Sequence, residues 1–89
     1  MAKGRLLIVE DDPDIANMLK IFFGAQGYEV DVAMRGKEAL ERTRAVMPHL
    51  IVLDIMLPDI DGYEVCRQLR TQTRTSHIPV IFLTQKDER

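Results

Sequence analysis

Leu6-Leu7-Ile8-Val9-Glu10-Asp11-Asp12-Pro13 is the stretch that decides the fold. Arg5–Val9 reads as a short, continuously apolar strand, the kind buried on both faces of a parallel sheet. Three acids end it abruptly. Asp12 can cap a helix, and Pro13 is tolerated at the first helical position because its missing N–H would have had no partner there. The stretch is therefore a strand running through an acidic turn into a helix, one βα unit.

The same grammar continues outward. Ile15, Met18, Leu19, Phe22 and Phe23 recur at three- and four-residue spacings and predict a helix with one apolar face; Gly27 is its stop. Tyr28–Ala33 alternates apolar and acidic residues, as a half-exposed strand does. Lys37–Val46 predicts a mostly polar helix anchored by Ala39, Leu40 and Val46 and ended before Pro48. His49–Leu53 is a second buried strand, and it ends on Asp54. A loop with Pro58 and Gly62 leads to a third helix through Val65, Cys66 and Leu69. Ile78–Leu83 is a fourth strand, ending on Thr84. Strands alternating with helices imply a doubly wound α/β parallel sheet with right-handed crossovers.

Composition narrows the function classes. At 89 residues the chain is one domain, residues 1–89, near the lower limit for a chain stabilised by a single core. Hydrophobic residues make up 46% and charged residues 29%, a globular balance. A net charge of −2 argues neither for nucleic-acid contact nor for electrostatic docking on a membrane, and neither partner is expected. No segment approaches the roughly 18–20 apolar residues of a membrane span. The lone Cys66 excludes an intrachain disulfide and fits a reducing compartment, so a cytoplasmic location is expected.

In an open α/β sheet, ligands bind beyond the carboxyl ends of the strands, where strand order reverses. The unusual residues fall there: Glu10, Asp11 and Asp12 after the first strand, Asp54 after the third, Thr84 after the fourth. If the first and third strands are neighbours, Glu10 or Asp11 lies within a few ångströms of Asp54. Clustered carboxylates repel, and burial raises their pKa values further. A hard divalent cation resolves the conflict, and Mg²⁺ suits one or two carboxylates with several waters. Asp12 is expected to cap instead. His49 and His77 are expected at strand edges. The basic residues around the second helix, with Arg67, Arg70 and Arg74, are expected on a solvated face.

Three stretches resemble one family. Leu6–Asp12 is similar to the first strand and acidic pair of response-regulator receiver domains. Asp54-Ile55-Met56-Leu57-Pro58-Asp59-Ile60-Asp61-Gly62 resembles the segment around their phosphorylated aspartate, and Ile78–Thr84 the strand that ends on their switch hydroxyl. The resemblance implies a flavodoxin-like sheet of order 2-1-3-4. It implies a phosphoacceptor module of a two-component system, not an enzyme in its own right, whose partner is a sensor histidine kinase. Asp54 would be phosphoacceptor and metal ligand, and Asp11 a direct Mg²⁺ ligand. Glu10 would act through a bound water, Met56 through its backbone carbonyl, and Thr84 by a hydrogen bond to the phosphoryl group.

The family fold runs to five strands and five helices, so the chain is expected to be an incomplete receiver domain. The family's C-terminal lysine and switch aromatic have no counterpart here, and Gln85 follows Thr84 where a small residue is usual. Phosphoryl transfer is accordingly expected to be impaired. The open edge of the fourth strand is expected to pair two copies into a homodimer. Two alternatives stay open. One is a non-phosphorylated interaction or assembly fragment. The other is a phosphatase of the haloacid dehalogenase type, which resembles an Asp-x-Asp pattern where this chain has Asp54 and Met56.

Overall fold

The computed structural model describes residues 3–83. The elements are β1 (Gly4–Val9), α1 (Pro13–Ala25), β2 (Tyr28–Ala33), α2 (Gly36–Val46), β3 (Leu50–Asp54), α3 (Gly62–Thr71) and β4 (Val80–Leu83). All strand pairs are parallel and the order is β2-β1-β3-β4. The chain steps outward from β1 to β2, then crosses back past β1 to β3. That reversal places the switch point between β1 and β3.

The continuous apolar run of β1 is explained by its two neighbouring strands and two covered faces. Leu7 and Val9, with Ile51 and Leu53 of β3, pack under α2 and α3 against Ala39, Leu40, Val65 and Leu69. Leu6, Ile8 and Val52 point to the other face, where Leu19 and Phe23 of α1 lie over them. Successive strand residues serve opposite layers, so neither face tolerates a polar residue.

Only part of the expected apolar face of α1 is buried. Ala16 is buried and Leu19 and Phe23 pack on the sheet, whereas Met18, Ile21 and Phe22 are exposed. One strip of a helix fits over one layer of strands; residues displaced by about 100° from it cannot reach the sheet. Helix spacing alone does not distinguish the two sets.

Boundaries shift for local reasons. The ladder of β3 begins at Leu50; ahead of it the His49 N–H donates to the Arg5 carbonyl, and the His49 Nδ1 takes the place of a backbone acceptor for the Arg5 N–H at 3.0 Å. β4 begins at Val80: Pro79 offers no N–H, although its carbonyl accepts from Ile51 N–H at 3.0 Å. Ile78, ahead of the strand, is buried in the core. Arg70 is exposed, as expected, and its guanidinium also donates to the carbonyls of Ser76 and Ile78, which ties down the turn before β4.

Capping sets where the helices start. Asp12 accepts from the N–H groups of Asp14 and Ile15 at 2.9 and 3.3 Å, as expected, and Asp61 does the same for α3 through Glu64 N–H at 2.8 Å. α2 differs. Its N-cap residue, Arg35, makes no side-chain cap bond. The N–H groups of Gly36 and Lys37 donate instead to the two carboxylate oxygens of Asp59, at 2.7 and 2.9 Å. At the other end Met47 adopts the left-handed conformation, φ 48°, and Pro48 follows. Among the described residues, no helix is long and apolar enough to cross a membrane.

Candidate metal and phosphoacceptor site

The register of β1 against β3 builds the site. Val9 stands opposite Leu53, so Glu10 and Asp54 leave the sheet at the same level, on adjacent strands at the switch point. Their backbone positions are fixed before any attraction between side chains is needed. Glu10, Asp11 and Asp54 each bring a carboxylate oxygen within 4.8 Å of the others. The expected approach of the two strand ends is thus found.

The three acids are not equivalent. Glu10 and Asp54 are each only 2% exposed, while Asp11 faces solvent. Glu10 Oε2 accepts from the Asp12 N–H at 3.0 Å, which turns its carboxylate back over the strand end. Burial, with the charge of Asp54 and the neighbouring Asp11, pushes the Glu10 carboxyl up to about 7 despite the lowering effect of the Asp12 N–H. The site therefore concentrates negative charge where water solvates it poorly. Asp12 stands beside it but is engaged in capping α1.

These acids floor a cleft of about 440 Å³ whose remaining walls are Asp12, Ile15, Met56, Leu57 and Pro58. The described lining includes no lysine or arginine. The Met56 side chain is exposed, and its N–H lies 3.4 Å from Asp54 Oδ1, so its backbone stays beside the cleft whatever its side chain does. Gly62 closes the loop behind: its N–H donates to the Ile55 carbonyl at 2.7 Å. A Cβ on Gly62 would run into the Asp54 carbonyl oxygen and come within 3.0 Å of Ile55 Cα.

The donor set is all oxygen, which suits a hard divalent cation. Two ligands on one Mg²⁺ with bonds of about 2.1 Å lie at most about 4.2 Å apart. A spread of up to 4.8 Å fits two direct carboxylates with a third reaching through water.

The other candidates divide cleanly. His49 and His77 precede β3 and β4, at the end of the sheet opposite the acids, and neither lines the cleft. Cys66 is half-buried on α3 and packs against the core. Arg67 pairs with Glu64 at 2.6 Å on the α3 surface. Thr84, Gln85 and Lys86 lie outside the described residues. Asp59 carries structural weight that nothing in the order of residues marks: it is one of several acids in a polar loop, and its partners are 22 and 23 positions earlier. Opposing the cost of desolvation, the N–H groups of Lys37 and Gly36 hold its carboxyl down at about 2.

Residues 6–89 match the model of the response regulator receiver domain. The chain is 45% identical over 83 residues to the transcriptional regulatory protein AfsQ1 of Streptomyces coelicolor, covering 93% of this chain and 36% of that protein. It is 44% identical over 84 residues to the alkaline phosphatase synthesis transcriptional regulatory protein PhoP of Bacillus subtilis, covering 94% and 34%. It thus spans about a third of the length of these relatives. The N-terminal domain of a response regulator receiver protein from Methanoculleus marisnigri superposes with a TM-score of 0.91 at 34% identity, covering 99% of this chain and 72% of that one. The signal receiver domain of a signal transduction histidine kinase from Syntrophus aciditrophicus gives 0.89 at 39% identity, covering 96% and 64%. Sheet order, acidic switch point and these likenesses agree: the chain belongs to the response regulator receiver domain family.

Proposed function

We propose that this chain accepts a phosphoryl group on Asp54 from the phosphohistidine of a sensor histidine kinase, with Mg²⁺ as cofactor. The observation that carries the reading is the buried Asp54 carboxylate, held beside Glu10 and Asp11 at the mouth of an open cleft. Asp11 and Asp54 would hold the metal directly, Glu10 through water, and Met56 through its backbone carbonyl. When bound, Mg²⁺ supplies positive charge between the carboxylate nucleophile and the anionic phosphoryl oxygens.

The chain's own residues do the rest. β3 fixes Asp54 at the floor of the cleft, so one of its oxygens can meet phosphorus in line with the departing imidazole. A P–O bond forms as the P–N bond breaks, and the imidazole leaves, taking up a proton from solvent. The product is an aspartyl phosphate, and Thr84 would donate its hydroxyl to a phosphoryl oxygen. The added charge, about −1 to −2 by analogy with other phosphorylated side chains, then biases the surrounding surface. A haloacid dehalogenase reaction needs an acid two positions after the nucleophile, and Met56 carries a thioether there.

The test is an amide ¹H–¹⁵N correlation spectrum recorded during a Mg²⁺ titration. Saturable shifts at Glu10, Asp11, Asp54 and Met56 are expected, followed by new shifts on adding a small acyl phosphate donor. A dispersed spectrum that ignores Mg²⁺ would leave an interaction or assembly module as the function.

A second copy of the chain is the proposed partner at β4. In the described residues β4 pairs only with β3, and Ile81 is 52% exposed. Two such edges can pair antiparallel about a two-fold axis, which satisfies both rows of backbone groups. Sedimentation equilibrium is expected to give twice the monomer mass, and a folded monomer at high concentration would end the proposal.

A further inference from the structure

The loop between Asp54 and α3 is clamped at two places. At its end, the Gly62 N–H bonds to the Ile55 carbonyl. In its middle, Asp59 spends both carboxylate oxygens on the N–H groups of Gly36 and Lys37 at the start of α2. Contact there is close enough that a Cβ on Gly36 would collide with Ile60 Cγ1 and stand 3.0 Å from the Ile60 carbonyl oxygen. Between the clamps lie Met56, Leu57 and Pro58, which wall the cleft.

The arrangement is more than a helix cap. A serine, threonine or aspartate at position 35 would accept from the Lys37 N–H from within α2. Arg35 does not, and the cap comes from a loop residue three positions after Met56. Two charge-assisted bonds therefore fix that loop to a helix that belongs to a different βα unit.

We propose that Asp59 is a positioning residue: by anchoring the loop to the N-terminus of α2, it sets where the Met56 carbonyl stands relative to Asp54, and so sets the affinity of the site for Mg²⁺. The inference rests on the metal-dependent reading above. It places no ligand on Asp59 itself.

The experiment compares Mg²⁺ dissociation constants, from amide shifts, for wild type, Asp59→Ala, Asp59→Asn and Glu38→Ala. Glu38 is the control because its carboxylate accepts from Met34 N–H at 2.9 Å, tying down the same end of α2 through a residue outside the loop. Asp59→Ala is expected to weaken Mg²⁺ binding about tenfold, the lower end of what losing an outer-shell partner costs. Asp59→Asn keeps one acceptor oxygen and should recover part of the affinity, and it serves alone if the alanine variant does not fold. Thermal melts should show Asp59→Ala and Glu38→Ala similarly destabilised, with Mg²⁺ affinity lost only in the former. Equal affinities across all four proteins would overturn the inference while leaving the metal site intact. A wild type that ignores Mg²⁺ would overturn both.

Discussion

Asp54→Asn is expected to abolish acyl-phosphate formation while leaving the fold in place. The substitution keeps the shape of the side chain on β3, which is buried and therefore sensitive to volume, but it removes the nucleophilic oxygen anion. Phosphate incorporation from a small acyl phosphate, read by intact mass, should fall to background. Mg²⁺ affinity should fall by more than about tenfold, since loss of an outer-shell partner alone costs that much. Incorporation at the wild-type level would move the phosphoacceptor elsewhere.

The same variant has a proton-linked signature. In the metal-free protein the Glu10 carboxyl is pushed up to about 7, by burial first and by the Asp54 charge among the further causes. A folded-state pKa above the unfolded value means the folded chain holds that proton more tightly. This contribution to stability is full below about 4.5 and is lost as pH rises through about 7. Asp54→Asn removes one of the repelling charges, so the Glu10 carboxyl moves back towards 4.5 and the loss of stability with rising pH becomes shallower. Urea unfolding across this range in the presence of a chelator measures it; identical slopes for the two proteins would contradict the electrostatic coupling.

Gly62→Ala should be the most damaging single-methyl change at the site. Two effects compete at the first turn of α3. Alanine gains up to about 1 kcal/mol of helix propensity over glycine. Against it, the new Cβ meets the Asp54 carbonyl oxygen and the Ile55 backbone, neither of which can rotate away. Overpacking of that kind costs about 1–3 kcal/mol, and backbone is less forgiving than side chain, so the clash wins. A net loss of about 1–2 kcal/mol lowers the melting temperature by on the order of 10 °C in a domain this small. Loop 55–61 must shift as well, so Mg²⁺ binding should weaken along with stability. Gly24→Ala in α1 provides the opposite sign. A Cβ there meets nothing within 4 Å, and the variant should melt at a higher temperature. If both variants change stability in the same direction, backbone crowding is not what governs Gly62.

Much of this molecule is legible in its residue order because the relevant physics is local. Continuous apolar runs at Leu6–Val9 and Ile51–Leu53, short and followed at once by acids, suit strands of a sheet covered on both faces, and both are buried there. Asp12 before Pro13 can hardly do other than start a helix. Since parallel strands in such a fold share one orientation, the acids that follow them gather along one edge. Residue order alone thus brings Glu10, Asp11 and Asp54 together, and their all-oxygen chemistry points to a hard divalent cation.

What tertiary structure decided is whatever depends on which surfaces meet. Met18 and Phe22 share helical spacing with Leu19 and Phe23, yet only the latter pair reaches the sheet, because α1 lies over a single layer of strands. Asp11 and Glu10 are adjacent acids, yet the turn after β1 buries one and exposes the other. Asp59 reads as one loop acid among several until α2 and the β3–α3 loop come into contact, and only then do its two oxygens find the N–H groups that α2 leaves uncapped. Residue order specifies periodicity, caps and charge, which act over a few positions along the chain. Distances across the fold are set by packing, and packing is a property of all the elements at once.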